Sequence, residues 1–210
     1  MSEVIQDDTR LRHGLAALSL AVSDETIARM IQFLSLLRRW NAAYNLTRIT
    51  DWDDMITLHV LDSLAVLPWV RGTRILDVGT GAGFPGVPWA LLHPEWSVTL
   101  LDSNGKKIRF LNQVIRELGL RQVNTVQTRI EGYAGTADFD TVVTRAVGSV
   151  ADSWVHIAPL LGVGGCFLGM KGQNPEAECR LLTAAQWQIE SVSVPGLSAK
   201  RHVVVIQAAA

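Results

Sequence analysis

The residues with the plainest chemical meaning form the run Leu76-Asp77-Val78-Gly79-Thr80-Gly81-Ala82-Gly83-Phe84-Pro85-Gly86. Glycines spaced this way let a chain turn sharply after a strand and let its backbone approach a ligand, because no Cβ intervenes. Two ligand classes fit. Gly81, Gly83 and Gly86 satisfy the GxGxxG spacing of a dinucleotide site, with Asp102 about the right distance downstream for a ribose contact. Against that reading, Asp77 is an acid two residues before Gly79, awkward beside a pyrophosphate but suited to a ligand carrying positive groups. Gly79 is also the first residue after the strand, which sets Gly81 and Gly83 at the offset of methyltransferase loops. The expected cofactor is therefore S-adenosylmethionine, whose ammonium and sulfonium are both positive. A nicotinamide-dependent oxidoreductase is the rival.

Asp102 ends the next apolar run, where a carboxylate can accept hydrogen bonds from two ribose hydroxyls. It also precedes Ser103-Asn104 and a helix, so a capping role is open, and both can hold. Two routes to methyl transfer are missing. Thr144-Arg145-Ala146-Val147 stands where an Asn/Asp-Pro-Pro-aromatic motif would serve an exocyclic amine. Neither Cys166 nor Cys179 has the setting of a nucleophile for pyrimidine carbon. The acceptor should then be nucleophilic without a base, as guanine N7 is, and catalysis should be proximity and in-line alignment. No residue is assigned as catalytic. A small-molecule methyltransferase of the same fold and a non-enzymatic S-adenosylmethionine sensor remain open.

These residues need a sheet to present them. From Arg74 onward, short apolar runs alternate with helical segments. The expected strands are Arg74–Val78, Val98–Asp102, Val123–Gln127, Thr141–Thr144, Cys166–Met170, Gln188–Val194 and Val203–Gln207. Helices are expected between the first five, the clearest being Lys106 to Leu118, with Ile108, Leu111, Ile115 and Leu118 on one face and Gly119 as its cap. Such alternation predicts a parallel sheet covered on both sides. The link Pro195 to His202 is too short for a helical crossover, so the last two strands should pair antiparallel. The fold class is therefore α/β: a Rossmann-like class I methyltransferase with a seven-stranded, mostly parallel sheet and an antiparallel C-terminal hairpin.

Residues 1–70 read as a helical N-terminal extension, and residues 71–210 as the catalytic domain. Ser23 can cap a helix with Asp24 and Glu25 in its first turn and Ile27, Met30, Ile31, Leu34 and Leu37 on one face, closing at Arg38 and Arg39. A second helix is expected from near Asp51 through His59 to Leu67.

Composition sets the outer bounds. The chain has 210 residues, 48% hydrophobic and 19% charged, with net charge −1. It can fill a core without a disulfide or metal, and it is no polybasic coat for nucleic acid. All but four of its 19 basic residues are Arg. Two cysteines without paired spacing make no zinc site, so no metal is expected. Met1 to Arg10 carries Glu3, Asp7 and Asp8 and no apolar stretch, unlike a signal peptide. Leu160 to Met170 is too short and Gly-rich for a bilayer. A cytoplasmic monomer is the expectation.

At this point the chain resembles a known family, the bacterial ribosomal RNA small subunit methyltransferase G, also called glucose-inhibited division protein B. The resemblance covers nearly everything after the first twenty or so residues. It rests on Trp40-Asn41-Ala42-Ala43-Tyr44-Asn45-Leu46-Thr47, His59-Val60-Leu61-Asp62-Ser63, Asp77 to Gly86, Leu100-Leu101-Asp102-Ser103, Thr144-Arg145-Ala146, Lys171-Gly172-Gln173 and Arg201-His202-Val203-Val204-Val205-Ile206. The family often has a basic residue before the histidine; here it is Leu58. The resemblance implies transfer of a methyl group from S-adenosylmethionine to N7 of one guanine in 16S rRNA of the small ribosomal subunit. It also implies cofactor contacts from Gly79, Phe84, Ile130, Glu131 and Arg145, and a substrate rim at Lys171, Arg201 and His202. Arg145 would meet the cofactor carboxylate or the target nucleotide. Lys106, Arg109 and Arg116 fall on one helix side, facing RNA phosphates or merely solvent. His59 and Asp62 are expected to be a structural hydrogen-bonded pair.

Overall fold

The computed structural model describes residues 2–135, 138–146, 148–182 and 185–208, with backbone only for 2–7. Val147 and the first seven residues of the stretch Met1 to Arg10 therefore lie outside the described side chains.

Helix α1 (Ser2–Ala17) leads to α2 (Asp24–Tyr44), whose N-cap Ser23 accepts a hydrogen bond from the Thr26 amide. Helix α2 does not stop at Arg38 and Arg39 as expected. No residue there breaks the turn, and the helix runs on until Asn45 takes a left-handed cap conformation with φ 51°. Arg38 instead covers Trp52, 5.9 Å from its ring, and Arg39 reaches Glu117 at 3.5 Å. Phe33 and Leu36 join the buried face, while Ile31 is only half-buried.

The expected second helix is irregular. It starts as α3 (Trp52–Asp54), capped by Asp51, widens into a π-helical segment over Met55–Leu61, and closes as α4 (Asp62–Leu64). π turns are rare and recur at functional sites; this one carries Leu58 and His59.

The rest is an alternating α/β unit: β1 (Arg74–Val78), α5 (Gly86–Leu92), β2 (Ser97–Asp102), α6 (Gly105–Leu118), β3 (Val123–Gln127), β4 (Phe139–Arg145), α7 (Val150–Ile157), β5 (Leu161–Lys171), α8 (Glu176–Cys179), β6 (Trp187–Val192) and β7 (Arg201–Gln207). The sheet order is β3-β2-β1-β4-β5-β7-β6. Strands β1 to β5 pair in parallel, and β7 inserts antiparallel between β5 and β6. That inserted strand separates the sheet from the dinucleotide order 3-2-1-4-5-6. Among the described residues, the helix expected between β3 and β4 is not formed; the link carries the 3₁₀ turn Ile130–Gly132. Strand β5 starts five residues earlier than expected, and β6 ends at Val192 rather than Val194.

Successive strand residues face opposite sides. Ile75, Leu100, Val143, Leu168 and Val205 pack with α1, α2, α5 and α6, whereas Leu76, Leu101, Val142, Phe167 and Ile206 pack under α7 and α8. The first cluster takes in Leu11, Met30, Leu34 and Ile56, so the N-terminal helices share the sheet's own core. Phe33 of α2 sits 5.1 Å from Phe84 and 6.3 Å from Phe110, which locks that helix beside the glycine loop.

Candidate cofactor and substrate pocket

A cavity of about 850 Å³ lies beyond the carboxyl ends of the central strands, where open parallel sheets bind ligands. Its size falls within the range of small-molecule sites. The glycine loop forms one wall. Gly79 and Thr80 donate their amides to the Leu101 carbonyl at 2.8 and 3.0 Å, which folds the loop across the end of β2. Gly81, at φ 63°, turns its own amide onto Asp102 Oδ2 at 2.9 Å. A Cβ there would be strained by the backbone, though it would clash with nothing closer than 3.8 Å; the strain requires glycine and leaves the space open to a ligand.

Asp77 works beneath the loop rather than on its surface. It is fully buried, and its Oδ2 accepts from the Thr80 hydroxyl at 2.7 Å and the Gly86 amide at 2.8 Å. Its Oδ1 has no hydrogen-bond partner. Burial raises its pKa from 3.8 to about 6, with the Thr80 and Gly86 bonds opposing. Asp77, expected to suit a ligand with positive groups, is thus placed off the cavity wall: its carboxylate braces the turn, and any influence on a ligand would act through its field. Gly83 is placed likewise. Its missing Cβ would lie 2.7 Å from Val87 and 2.9 Å from Leu111, so this glycine serves helix packing and stands apart from the cavity wall.

Asp102 does line the cavity. Its Oδ1 accepts from the Asn104 amide at 2.8 Å, and Asn104, not Asp102, caps α6. Lys107 approaches Oδ2 at 3.4 Å. The sequence sets Lys107 only near the basic face of α6 and gives it no part at Asp102, although its place in the first turn of the helix that follows Asp102 is the available signal. Arg129 is a second basic wall residue that sequence reasoning missed. Gly79, Gly81, Phe84, Ile130, Glu131 and Arg145 also lie on the wall, and so do Lys171, Arg201 and His202. Lys106, Arg109 and Arg116 do not; they are exposed along α6 outside the cavity. Lys171 pairs with Glu178 at 2.8 Å, and His202 keeps a buried Nδ1 without a partner.

The opposite wall comes from the N-terminal part. Arg145 Nη1 donates to the Leu58 carbonyl at 2.9 Å and lies 3.5 Å from Asp62, while Nη2 meets His59 Nδ1 at 3.2 Å. Arg201 binds the other Asp62 oxygen at 3.0 Å. His59 and Asp62 therefore do not bond to each other by their side chains as expected. His59 is drawn to the Arg145 guanidinium, and Asp62 is shared between the guanidinium groups of Arg145 and Arg201. Burial lowers the Arg145 pKa, opposed by Asp62 and Asp77. Burial and Arg145 together lower His59 from 6.5 to about 3. The thiols of Cys166 and Cys179 are buried and raised by that burial, so neither offers a thiolate.

Among the described residues no helix is long and apolar enough to cross a membrane, and no group of three metal-ligating side chains gathers. The cavity thus joins acids at the loop end, an apolar face at Phe84 and Ile130, and cations at the far side.

Comparison with known proteins gives this arrangement a family. A relative from Methylococcus capsulatus, named ribosomal RNA small subunit methyltransferase G, is 44% identical over 198 residues, covering 94% of this chain and 97% of its own length. One of the same name from Escherichia coli is 44% identical over 194 residues, covering 90% and 92%. In fold the chain is similar to a SAM-dependent methyltransferase from Aquifex aeolicus, with TM-score 0.57, 15% identity and coverage of 74% and 93%. It is also similar to an rRNA methylase from Streptococcus thermophilus, with TM-score 0.52, 14% identity and coverage of 71% and 94%. The family model described as rRNA small subunit methyltransferase G matches residues 26–204, and with it the chain belongs to that family.

Proposed function

We propose that this protein transfers a methyl group from S-adenosylmethionine to N7 of one guanine in the 16S rRNA of the small ribosomal subunit. One observation carries the reading: the glycine loop, Asp102 and Arg145 open onto a single cavity whose far rim is Lys171, Arg201 and His202. S-adenosylmethionine brings an electrophilic methyl on a positive sulfur. Its chemistry fits the residues present. Asp102 offers free lone pairs beside Gly81 for ribose hydroxyls, Ile130 and Phe84 give an apolar slot for a base, and Glu131 lies next to Ile130. Arg145 answers a carboxylate, and the unpartnered Asp77 oxygen supplies negative field beneath the loop.

The chain's own part in catalysis is to hold and align. His59, held near pKa 3, is too weak a base to take a proton at neutral pH, and Asp77 is sealed from the cavity. An acceptor with an exposed lone pair needs neither, which favours guanine N7. The target base must be unpaired or leave its stack to enter, and an acceptor on the ribosome places the work in the cytoplasm. Residues 1–70 act as a helical extension of the domain 71–210, continuous with its core and forming the roof over Arg145.

Radiolabelled S-adenosylmethionine, incubated with small subunits from a strain lacking this protein, should label a single guanine at N7. Label elsewhere would overturn the atom assignment. Absence of label with normal cofactor binding would move the reading to a small-molecule acceptor.

A further inference from the structure

The motif Trp40 to Thr47 is one of the strongest sequence signals, yet only Leu46 and Thr47 reach the cavity wall. Its hydrogen bonds say what it holds. Asn41, buried on α2, accepts the Thr47 amide on Oδ1 at 2.8 Å, and Asn45 turns the chain in a left-handed cap. Thr47 Oγ1 is thereby fixed against His59 Nε2 at 3.0 Å, while it also accepts the Ile49 amide at 3.1 Å. The imidazole stacks on Phe84, ring centroids 4.3 Å apart and 11° from parallel. Arg145 hangs over the same ring at 5.3 Å.

A guanidinium has donors and no acceptor. The contact from Arg145 Nη2 to His59 Nδ1 therefore needs the lone pair on Nδ1, and the ring proton must sit on Nε2, donated to Thr47. Thr47 is compatible with that direction, because its hydroxyl oxygen can accept from both Ile49 and His59; the direction itself is set by Arg145. Three groups on or next to the π turn, the Leu58 carbonyl, the His59 ring and the Asp62 carboxylate, all converge on Arg145.

We propose that His59 is a positioning residue, locked by Thr47 as the Nε2–H tautomer so that its Nδ1 lone pair aims the Arg145 guanidinium into the cavity. That Arg145 meets the bound ligand rests on the function proposed above; that His59 orients it does not. Burial, with Arg145 beside it, also lowers the pKa of the ring to about 3 against an opposing contribution from the Leu58 backbone, which favours a neutral imidazole at neutral pH. Arg201, Asp62 and Asp77 are the other charges of this neighbourhood.

Two measurements test it. Nitrogen-15 NMR of the imidazole in the ligand-free protein should show the Nε2–H tautomer from pH 5 to pH 8. The Nδ1–H tautomer, or an imidazolium at pH 6, overturns the proposal. Calorimetry with S-adenosylhomocysteine then compares His59→Asn with His59→Gln, each checked for an intact thermal transition. Asparagine can place an oxygen where Nδ1 stands; glutamine reaches toward Thr47 and leaves Arg145 without that acceptor. Loss of a charged hydrogen bond predicts roughly tenfold or more weaker binding for His59→Gln and a recovery to within about threefold of wild type for His59→Asn. Equal effects of the two would mean the ring is only filler, and would overturn the proposal. If both variants unfold, the NMR result decides alone. Failure of the wild type to bind would refute the cofactor reading instead, leaving the NMR result to judge His59.

Discussion

Replacing Asp77 by asparagine should make the protein more sensitive to acid while leaving it no less stable at neutral pH. The folded protein holds Asp77 at about 6 against an ordinary 3.8. It therefore keeps a proton that the unfolded chain releases, and the penalty is absent below about pH 3.8 and complete above about pH 6. The full shift is worth about 3 kcal/mol. His59 works in the opposite sense. Its folded value of about 3 against 6.5 means the unfolded chain takes a proton the folded state refuses. Its contribution is complete above about pH 6.5 and is lost as the pH falls toward 3. From pH 7 to pH 5, His59 removes about 2 kcal/mol while relief at Asp77 returns about 1.3 kcal/mol, so Asp77 offsets about two thirds of the loss. Asp77→Asn deletes only the second effect. Urea unfolding at pH 7 and pH 5 should show the variant losing about 1.3 kcal/mol more than wild type, or about half a molar in midpoint at an ordinary slope. Identical pH dependence, or a clear loss of stability at pH 7, would refute a buried carboxylate that resists ionisation.

Asp102→Ala should weaken S-adenosylhomocysteine binding about tenfold or more with the fold intact, and unchanged affinity by calorimetry would end the ribose assignment. Gly83→Ala combines a φ of 100° with contacts under 3 Å to Val87 and Leu111; denaturant unfolding should show a loss of about 2–4 kcal/mol. Lys106→Ala and Arg109→Ala should each lower the salt dependence of rRNA binding by about 0.7, measured by titration in increasing salt. A slope that does not move would leave these residues as a solvated face of α6.

The central strands are legible because they are short apolar runs whose two faces are both covered, as in Leu100-Leu101 or Val142-Val143; the edge strands β3 and β6 are partly exposed and carry a weaker apolar pattern. The antiparallel end followed from the length of one loop. Less was legible where local signals compete. The end of α2 was misplaced because Arg38 and Arg39 look like a helix terminus, whereas the cap is Asn45, a left-handed non-glycine that spacing does not reveal. Between β3 and β4 the described residues carry a 3₁₀ turn in place of the expected helix, with Ile130 and Glu131 on the cavity wall. In the site, Gly81 and Asp102 do line the cavity, whereas Asp77 and Gly83 lie behind its wall: sequence shows that a loop needs an acid and a glycine, but not which side of the loop each one faces.

The same limit explains why the far wall was hardest to read. Arg145 leaves β4 with five donors, and in a bare α/β unit those would turn to water. Here Leu58, His59 and Asp62 meet its two terminal nitrogens, supplied by the π segment and the start of α4, which pack in the same cluster as α1 and α2. A buried cation without partners would be costly by several kcal/mol, so the sheet residue and the N-terminal helices cannot vary independently. The motifs around Asn41, His59 and Arg145, far apart in sequence, are one device in space. This joint dependence makes the N-terminal region part of the site rather than a cover laid over it.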